Sequence, residues 1–414
     1  MPQHWDSGNI AFMLVSTSLV MLMTPGLAFF YGGLVGRKNV LAIMMQSFVS
    51  MSVTTLLWVV CGYSMSFSGS YHNAANPDIM GVIGNFHLAF FQNIDPGTPY
   101  AGSPTIPTVV FVAYQMMFAQ ITPALITGAF ANRVTFKAYL IFLVAWLLLV
   151  YFPFAHMVWG GGILQANGVL DFAGGIVVHT TAGFAALAAV FYVGKRRVPD
   201  FGLHNIPLVA LGTGLLWFGW YGFNAGSELK VDTVTSLAFL NTDLAASFAA
   251  LTWLVLAWTY EKKPKFVGLL TGSIAGLATI TPAAGYVSTR SAVFIGIAAG
   301  VVCYYAVGLK NKLQWDDALD VWGVHGVGGA LGVILLGVFA NKMFNPDGGA
   351  NGLLHGDSTF FMKEVGATII AAAYAFGFTY VMLAVINRIT PVKVTAADEE
   401  MGLDETLHGE KAYL

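Results

Sequence analysis

The chain has 414 residues, of which 57% are hydrophobic and only 10% charged, and its formal net charge is −2. A water-soluble domain carries about a quarter charged residues, so there is too little polar material here to cover a soluble surface, and no basic excess points to nucleic acid. The two cysteines, Cys61 and Cys303, lie inside apolar runs and suggest neither a disulfide framework nor a metal site.

Apolar runs of about 20 residues, the length that crosses a bilayer as a helix, recur along the whole chain. They predict an all-α polytopic membrane protein with eleven transmembrane helices. The spans start near Gly8, Val40, Thr105, Phe136, Asp171, Ile206, Val234, Lys265, Ser291, Leu319 and Phe360. The N-terminal MPQHWDSGNIAF lacks the basic opening of a cleavable signal peptide. Its apolar run, Ile10 to Leu34, is long enough to be a span, so the chain reads as unprocessed.

With the N-terminus outside, the inside segments hold 15 basic residues, including Arg37, Lys38, Arg133, Arg196 and Lys310. The outside segments hold 4, Lys230, Arg290, Lys342 and Lys363, which completes the 19. Basic residues concentrate on the cytoplasmic side, so the expected orientation is N-terminus outside and C-terminus cytoplasmic.

Two short echoes suggest an internal repeat. TPALITG at Thr122 in span 3 returns as TPAAGYV at Thr281 in span 8. HTTAG at His179 in span 5 returns as HGVGG at His325 in span 10. Both offsets are five spans, an odd number, so the second copy is inverted. A 5+5 inverted repeat plus a C-terminal helix is a transporter architecture, with its site near the midplane between the halves. At 1.5 Å per residue His179 lies about 12 Å below Asp171, and His325 enters from the opposite side to a similar depth.

Ionisable residues deep in a span are functional candidates. A lone buried histidine is more simply a packed residue bonded to a neighbouring helix. Two at equivalent repeat positions, each followed by small residues, point instead to facing neutral imidazoles. Such a pair lines an apolar pore and can share or relay a proton. No H-x-x-x-H or H-E-x-x-H pattern accompanies them, so no metal or other cofactor is expected. Asp171 opens span 5, where a carboxylate caps helix N–H groups; its other reading is an anionic end that stabilises a cation in an outer vestibule. Trp159, Phe118, Trp220, Phe223 and Ser227 read as belt or packing residues, or as an aromatic cage with a hydroxyl acceptor for a cation losing its water.

The segments PGLAFFYGGLVGRKN, AHMVWGGG, LDFAGGIVVH, GWYGFNAGS and DDALDVWGVHGVGG closely resemble, in order and almost end to end, the motifs of the ammonium transporter family (Amt/Mep/Rh). The resemblance implies a homotrimer in the cell (inner or plasma) membrane with one pore per subunit, and no enzymatic activity. It assigns His179 and His325 to a pore histidine pair and Phe118 and Phe223 to the stacked phenylalanines that close it. Trp159, Ser227 and Phe118 become the ammonium recruitment site, Asp171 the essential acid below it, and Trp220 a further pore-lining residue. GLDETLHGEKAY (Gly402 to Tyr413) resembles the tail with which bacterial members dock a PII-type signalling protein, through Gly402, Asp404, His408, Gly409, Glu410 and Tyr413; otherwise it is a polar terminus.

The implied division is a membrane domain at 1–390, with repeat halves near 8–198 and 204–342 and an eleventh helix near 359–388, and a cytoplasmic regulatory tail at 391–414. Two residues depart from the pattern. Tyr114 stands where many relatives carry Phe, and Asp243 in span 7 is either paired or carries its proton.

A bare cation is costly at the bilayer centre, so the expected mechanism recruits ammonium (methylammonium as an analogue), deprotonates it and passes ammonia between the histidines, the proton following them electrogenically. The alternatives are an electroneutral gas channel and an ammonium sensor acting through a partner.

Overall fold

The computed structural model of the chain describes residues 5–198 and 203–413; the reading of the N-terminus falls partly on Met1 to His4, outside them. Among the described residues, ten helices are long and apolar enough to cross a membrane. They are α1 (Ser7–Leu34), α2 (Val40–Phe67), α3 (Thr108–Phe130), α4 (Phe136–Ala166), α5 (Gly175–Val193), α6 (Ile206–Glu228) and α7 (Thr233–Glu261), then α9 (Thr289–Lys312), α10 (Trp322–Phe339) and α11 (Ser358–Ile389). Between α7 and α9 lies α8 (Phe266–Ile280), apolar but only 15 residues long. It stops at Ile280, just before Thr281-Pro282, and turns follow.

Local chemistry explains the helix starts. Asp6 accepts from Asn9 N–H at the head of α1, and Asp357 from Phe360 N–H at the head of α11. Asp232 and Thr235 form a reciprocal capping box on α7. Two starts fall later than the hydropathy suggests. The fifth span begins at Gly175 rather than Asp171, and the tenth at Trp322 rather than Leu319. In each case the residue holding the chain off the helix is left-handed, Gly174 at φ 120° and Asp320 at φ 59°, and an aspartate then caps the helix from upstream.

Most residues of α3 and α5 are buried, whereas in α1, α2, α7, α9 and α11 fewer than half are. α1 packs along α6, α7 packs on α8 and α9, and α5 packs on α11 and the head of α10. Segments apolar all round suit helices that meet protein on one side and lipid on the other. After α11 the chain forms two short helices, α12 (Ala396–Met401) and α13 (Leu403–His408), folded against the α1–α2, α3–α4 and α5–α6 connections.

Candidate functional site

The site is built from two helix entrances. At the first, Asp171 Oδ1 accepts from the N–H groups of Gly174 and Gly175 at 2.8 and 2.7 Å, and Oδ2 from Ile176 and Val177 at 2.7 and 3.2 Å. The first N–H groups of a helix have no partner within it, and this carboxylate takes up four at once. Asp171 is therefore a helix cap with both oxygens engaged.

The wide π-type turn that follows, Gly175–Thr180, carries His179, and a matching turn, Trp322–Gly326, carries His325. The two rings stack at 5.2 Å and 19°, with Nδ1 3.3 Å from Nδ1. Both histidines are buried, and among the described residues His179 Nε2 has no hydrogen-bond partner. Glycines permit this approach. A Cβ on Gly183 would lie 2.1 Å from Gly326 Cα, and one on Gly329 would lie 2.6 Å from the Cβ of His179. Each histidine's i+4 glycine thus meets the other histidine's segment.

Around the pair runs a narrow apolar lumen lined by Met23, Leu27, Ile121, Leu125, Leu216 and Trp220, among others. It has about 10 Å³ of room for water, one molecule at most. Trp220 stacks on His179 at 5.5 Å and is fixed by its indole N–H on Thr281 Oγ1 at 2.9 Å. One end of the lumen meets the stacked rings of Phe118 and Phe223, 4.2 Å apart at 24°. At the other, His325 borders a cavity of about 290 Å³ that also reaches Tyr31, Val35, Arg196 and Asp320.

On the Phe118 side, Trp159 sets its ring edge-on to Phe118 at 6.0 Å and donates its indole N–H to the Asp171 carbonyl at 2.8 Å. Ser227 donates to the Phe223 carbonyl at 2.8 Å. The pore and vestibule residues singled out in the sequence are therefore one contiguous cluster. Asp243 lies apart from it: half-buried on α7, it accepts from the Tyr221 hydroxyl at 2.6 Å.

One residue of this architecture escaped the sequence reading. Asp317 is buried and accepts from the N–H groups of Val321 and Trp322 at 3.1 and 2.8 Å, capping α10 as Asp171 caps α5. It stands eight residues before His325, as Asp171 stands eight before His179. The 146-residue offset between the histidines also relates the two aspartates, Gly183 to Gly329, and the left-handed Gly174 to Asp320. That spacing was the available signal. Burial, then the neighbouring Asp320, push the Asp317 carboxyl up to about 6, against Lys310, which bonds Asp320 at 2.5 Å. Asp316 goes the other way: burial raises it, but its fork-like pairing with Arg196 and the nearby Arg133 hold it below its usual value.

The tail is a folded element. Asp404 accepts from Ala42 N–H at the start of α2, and Leu403 N–H bonds Asn39. Burial pushes the Asp404 carboxyl up. Gly402 has φ 106°, and a Cβ there would lie 2.3 Å from the Lys38 Cβ, so only glycine fits. His408 packs on Phe136, and Tyr413 bonds His204 at 2.8 Å with Arg37 over its ring. Gly409 is a left-handed C-cap to α13, and Glu410 N–H bonds the Asp404 carbonyl. Glu399 accepts from Arg197 and Val198 N–H, tying the tail to the α5–α6 connection.

The family model described as Ammonium Transporter Family matches residues 11–413. The chain belongs to the ammonium transporter family. The transporter is 44% identical to the ammonium transporter of Bacillus subtilis over 98% of both chains. It is 41% identical to ammonium transporter Amt1 of Archaeoglobus fulgidus, over 99% of this chain and 100% of that one. Among solved structures it resembles Mep2 of Saccharomyces cerevisiae, with TM-score 0.87 and 34% identity over 95% of this chain and 92% of that one. A structure titled "Sensor Amt Protein" matches with TM-score 0.86 and 30% identity over 97% and 98%. The transporter is thus a multi-pass membrane protein whose substrate is ammonium, and it is not an enzyme.

Proposed function

We propose that the transporter recruits ammonium beside Trp159, Phe118 and Ser227, strips one proton, and conducts ammonia past the Phe118–Phe223 stack and between His179 and His325, with the proton carried along the imidazoles. The observation that carries this reading is the lumen itself: apolar, with room for one water at most, and lined by two imidazoles in direct contact. A cation at the bilayer centre costs from about 2.5–3.5 to about 10–17 kcal/mol, depending on the approach used, and the narrow lumen leaves no space for its hydration shell. Ammonia avoids that cost. Asp171 acts at the vestibule end chiefly by capping, keeping α5 and the Trp159 indole in register.

The same reading takes α8, which stops at Ile280, as a short eleventh span. It orients the N-terminus outside and the C-terminus in the cytoplasm of a cell that carries the protein in its plasma or inner membrane. It also divides the chain into a 5+5 inverted repeat with a final helix, 1–390, and a regulatory tail, 391–414. The common 146-residue offset of cap, histidine and glycine supports the repeat. Three such subunits form the homotrimer. The tail, seated on three connections at one end of the bundle, suits a PII-type partner. Likeness to a sensor structure favours a second reading, sensing through such a partner. Growth of a transporter-deficient host on low ammonium separates the two: a sensor alone does not restore growth.

A further inference from the structure

His156, on α4, is completely buried, and both of its ring nitrogens face oxygen atoms. Nδ1 lies 3.1 Å from the Ser66 carbonyl at the end of α2, and Nε2 lies 2.9 Å from Asp78 Oδ2. Asp78 belongs to the connection between α2 and α3, and only 4% of its side chain is exposed. Its other oxygen accepts from the Gly81 N–H at 2.9 Å. The same stretch grips the last turns of α4 by backbone. Tyr71 N–H reaches the Gly161 carbonyl at 3.0 Å, and Ile163 N–H the Gly81 carbonyl at 2.8 Å. A Cβ at Gly160 would run into the Ser66 carbonyl, so the approach needs glycine there.

A carbonyl oxygen only accepts, so Nδ1 carries a proton. A second proton must then lie between Nε2 and Oδ2. Without it, two lone pairs face each other at 2.9 Å in a buried contact. The count is the same for an imidazolium with a carboxylate and for an imidazole with a carboxylic acid. Either way the closed contact holds one proton more than a neutral imidazole and a free carboxylate. The histidine pair of the pore differs, because there nitrogen faces nitrogen and one proton serves both. Proton binding and closure are therefore linked, and raising the pH favours the open form. Around the contact α2 contributes the Ser66 carbonyl, the turn after Trp159 the Gly160 backbone, and the connection Asp78, with the Tyr71 ring beside Gly81. The other histidines of the connection, His72 and His87, are exposed.

We propose that His156 and Asp78 form a proton-binding site outside the pore, a clasp that fastens the α2–α3 connection to α4 while it holds its proton. Loss of that proton sets the Asp78 carboxylate against a bare nitrogen, and residues 70–84 lift from the last turns of α4. Asp78→Asn removes the requirement, because its amide N–H₂ donates to a neutral Nε2 and the clasp closes without an added proton. Asp78→Ala has nothing to close with at any pH.

The test is hydrogen–deuterium exchange of the full chain in proteoliposomes, read on peptides covering residues 70–84 and corrected for the intrinsic pH dependence of exchange. Wild type, D78N and D78A are compared as pH is raised from about 5 to about 9, a range that spans imidazole titration. Wild-type protection should fall towards the alkaline end by up to about tenfold per pH unit, the limit for one linked proton. D78N should stay protected throughout, and D78A should sit at the wild type's alkaline level at every pH. Protection that is flat in the wild type would overturn the proposal. So would a parallel fall in D78N, which keeps His72 and His87 and would assign the effect to them. Wild-type protection in D78A would show that the pair fastens nothing. If D78A fails to fold, the comparison of D78N with wild type still decides it.

Discussion

His179 and His325 meet through Nδ1 atoms 3.3 Å apart, on rings stacked within 19° of parallel. When both are neutral, one Nδ1 must carry a proton and the other accept it. The donor's Nε2 is then bare and the acceptor's protonated. The pair therefore presents one donor and one acceptor along the lumen, and passing a proton through it exchanges these roles. A fixed carboxylate has no such symmetry. His179→Asp and His325→Glu should each let a dehydrated cation reside in the lumen, lowering the ammonium-to-potassium selectivity. Competition of potassium with ammonium in proteoliposome flux measures this; unchanged selectivity in both variants speaks against the relay.

The histidine contact depends on Gly329. Its α-hydrogen faces the His179 Cβ and the Thr180 backbone nitrogen, where a methyl would sit at 2.6 and 2.9 Å. Backbone cannot give way as a side-chain tip can, so Gly329→Ala should cost about 1–3 kcal/mol and move the rings apart. Uptake should fall and the melting temperature in detergent should drop. Gly366, where a Cβ meets nothing within 4 Å, is the control, and Gly366→Ala should leave both unchanged.

Asp171 separates capping from direct ligation of a cation. Four N–H groups converge on its two oxygens. Asp171→Asn keeps one acceptor oxygen and should retain part of the stability and uptake. Asp171→Ala strands all four donors and should cost about 2 kcal/mol or more. Equal loss in the two, with wild-type melting in both, would mean that the charge acts on the substrate directly.

Asp317 and Asp404 make stability depend on pH with a defined sign. Both carboxyls are raised by burial, Asp317 to about 6 from an ordinary 3.8. Between those values the folded protein binds more protons than the unfolded chain, so stability falls as pH rises through that window. Melting temperature should therefore rise as pH is lowered from 7.5 towards 5. Asp317→Asn should flatten that rise, and a slope that is unaltered would exclude Asp317 as its source.

Tail seating depends on Gly402, whose φ of 106° and contact with Lys38 admit no side chain. Gly402→Ala should lift α13 from the start of α2 and speed tryptic cleavage at Lys393. The pore residues lie elsewhere, so the melting transition should stay close to wild type.

Much of this was legible in the residues. Composition alone required a membrane bundle, and the apolar runs pointed to the ten long helices. The echo of His179-Thr-Thr-Ala-Gly183 in His325-Gly-Val-Gly-Gly329 pointed to the pair that meets in the lumen. Four features were hidden, each for a physical reason. Asp317 was absorbed into a charged connection, because hydropathy does not distinguish a loop acid from a buried cap. α8 stops at Ile280 within a run that stays apolar, so composition barely changes where the helix ends. The Tyr114 hydroxyl bonds two carbonyls of another helix, and no local pattern encodes a contact 108 positions away. The pairing of Asp243 with Tyr221, 22 positions earlier, is hidden in the same way.

The most direct test of proton-coupled ammonia conduction is the current recorded on solid-supported membranes when ammonium is pulsed onto wild-type, His179→Asp and His325→Glu proteoliposomes, alongside uptake in the same preparations. A transient inward current should accompany uptake in the wild type and change its ammonium-to-potassium ratio in both variants. Uptake without current in the wild type would contradict it and leave an electroneutral channel.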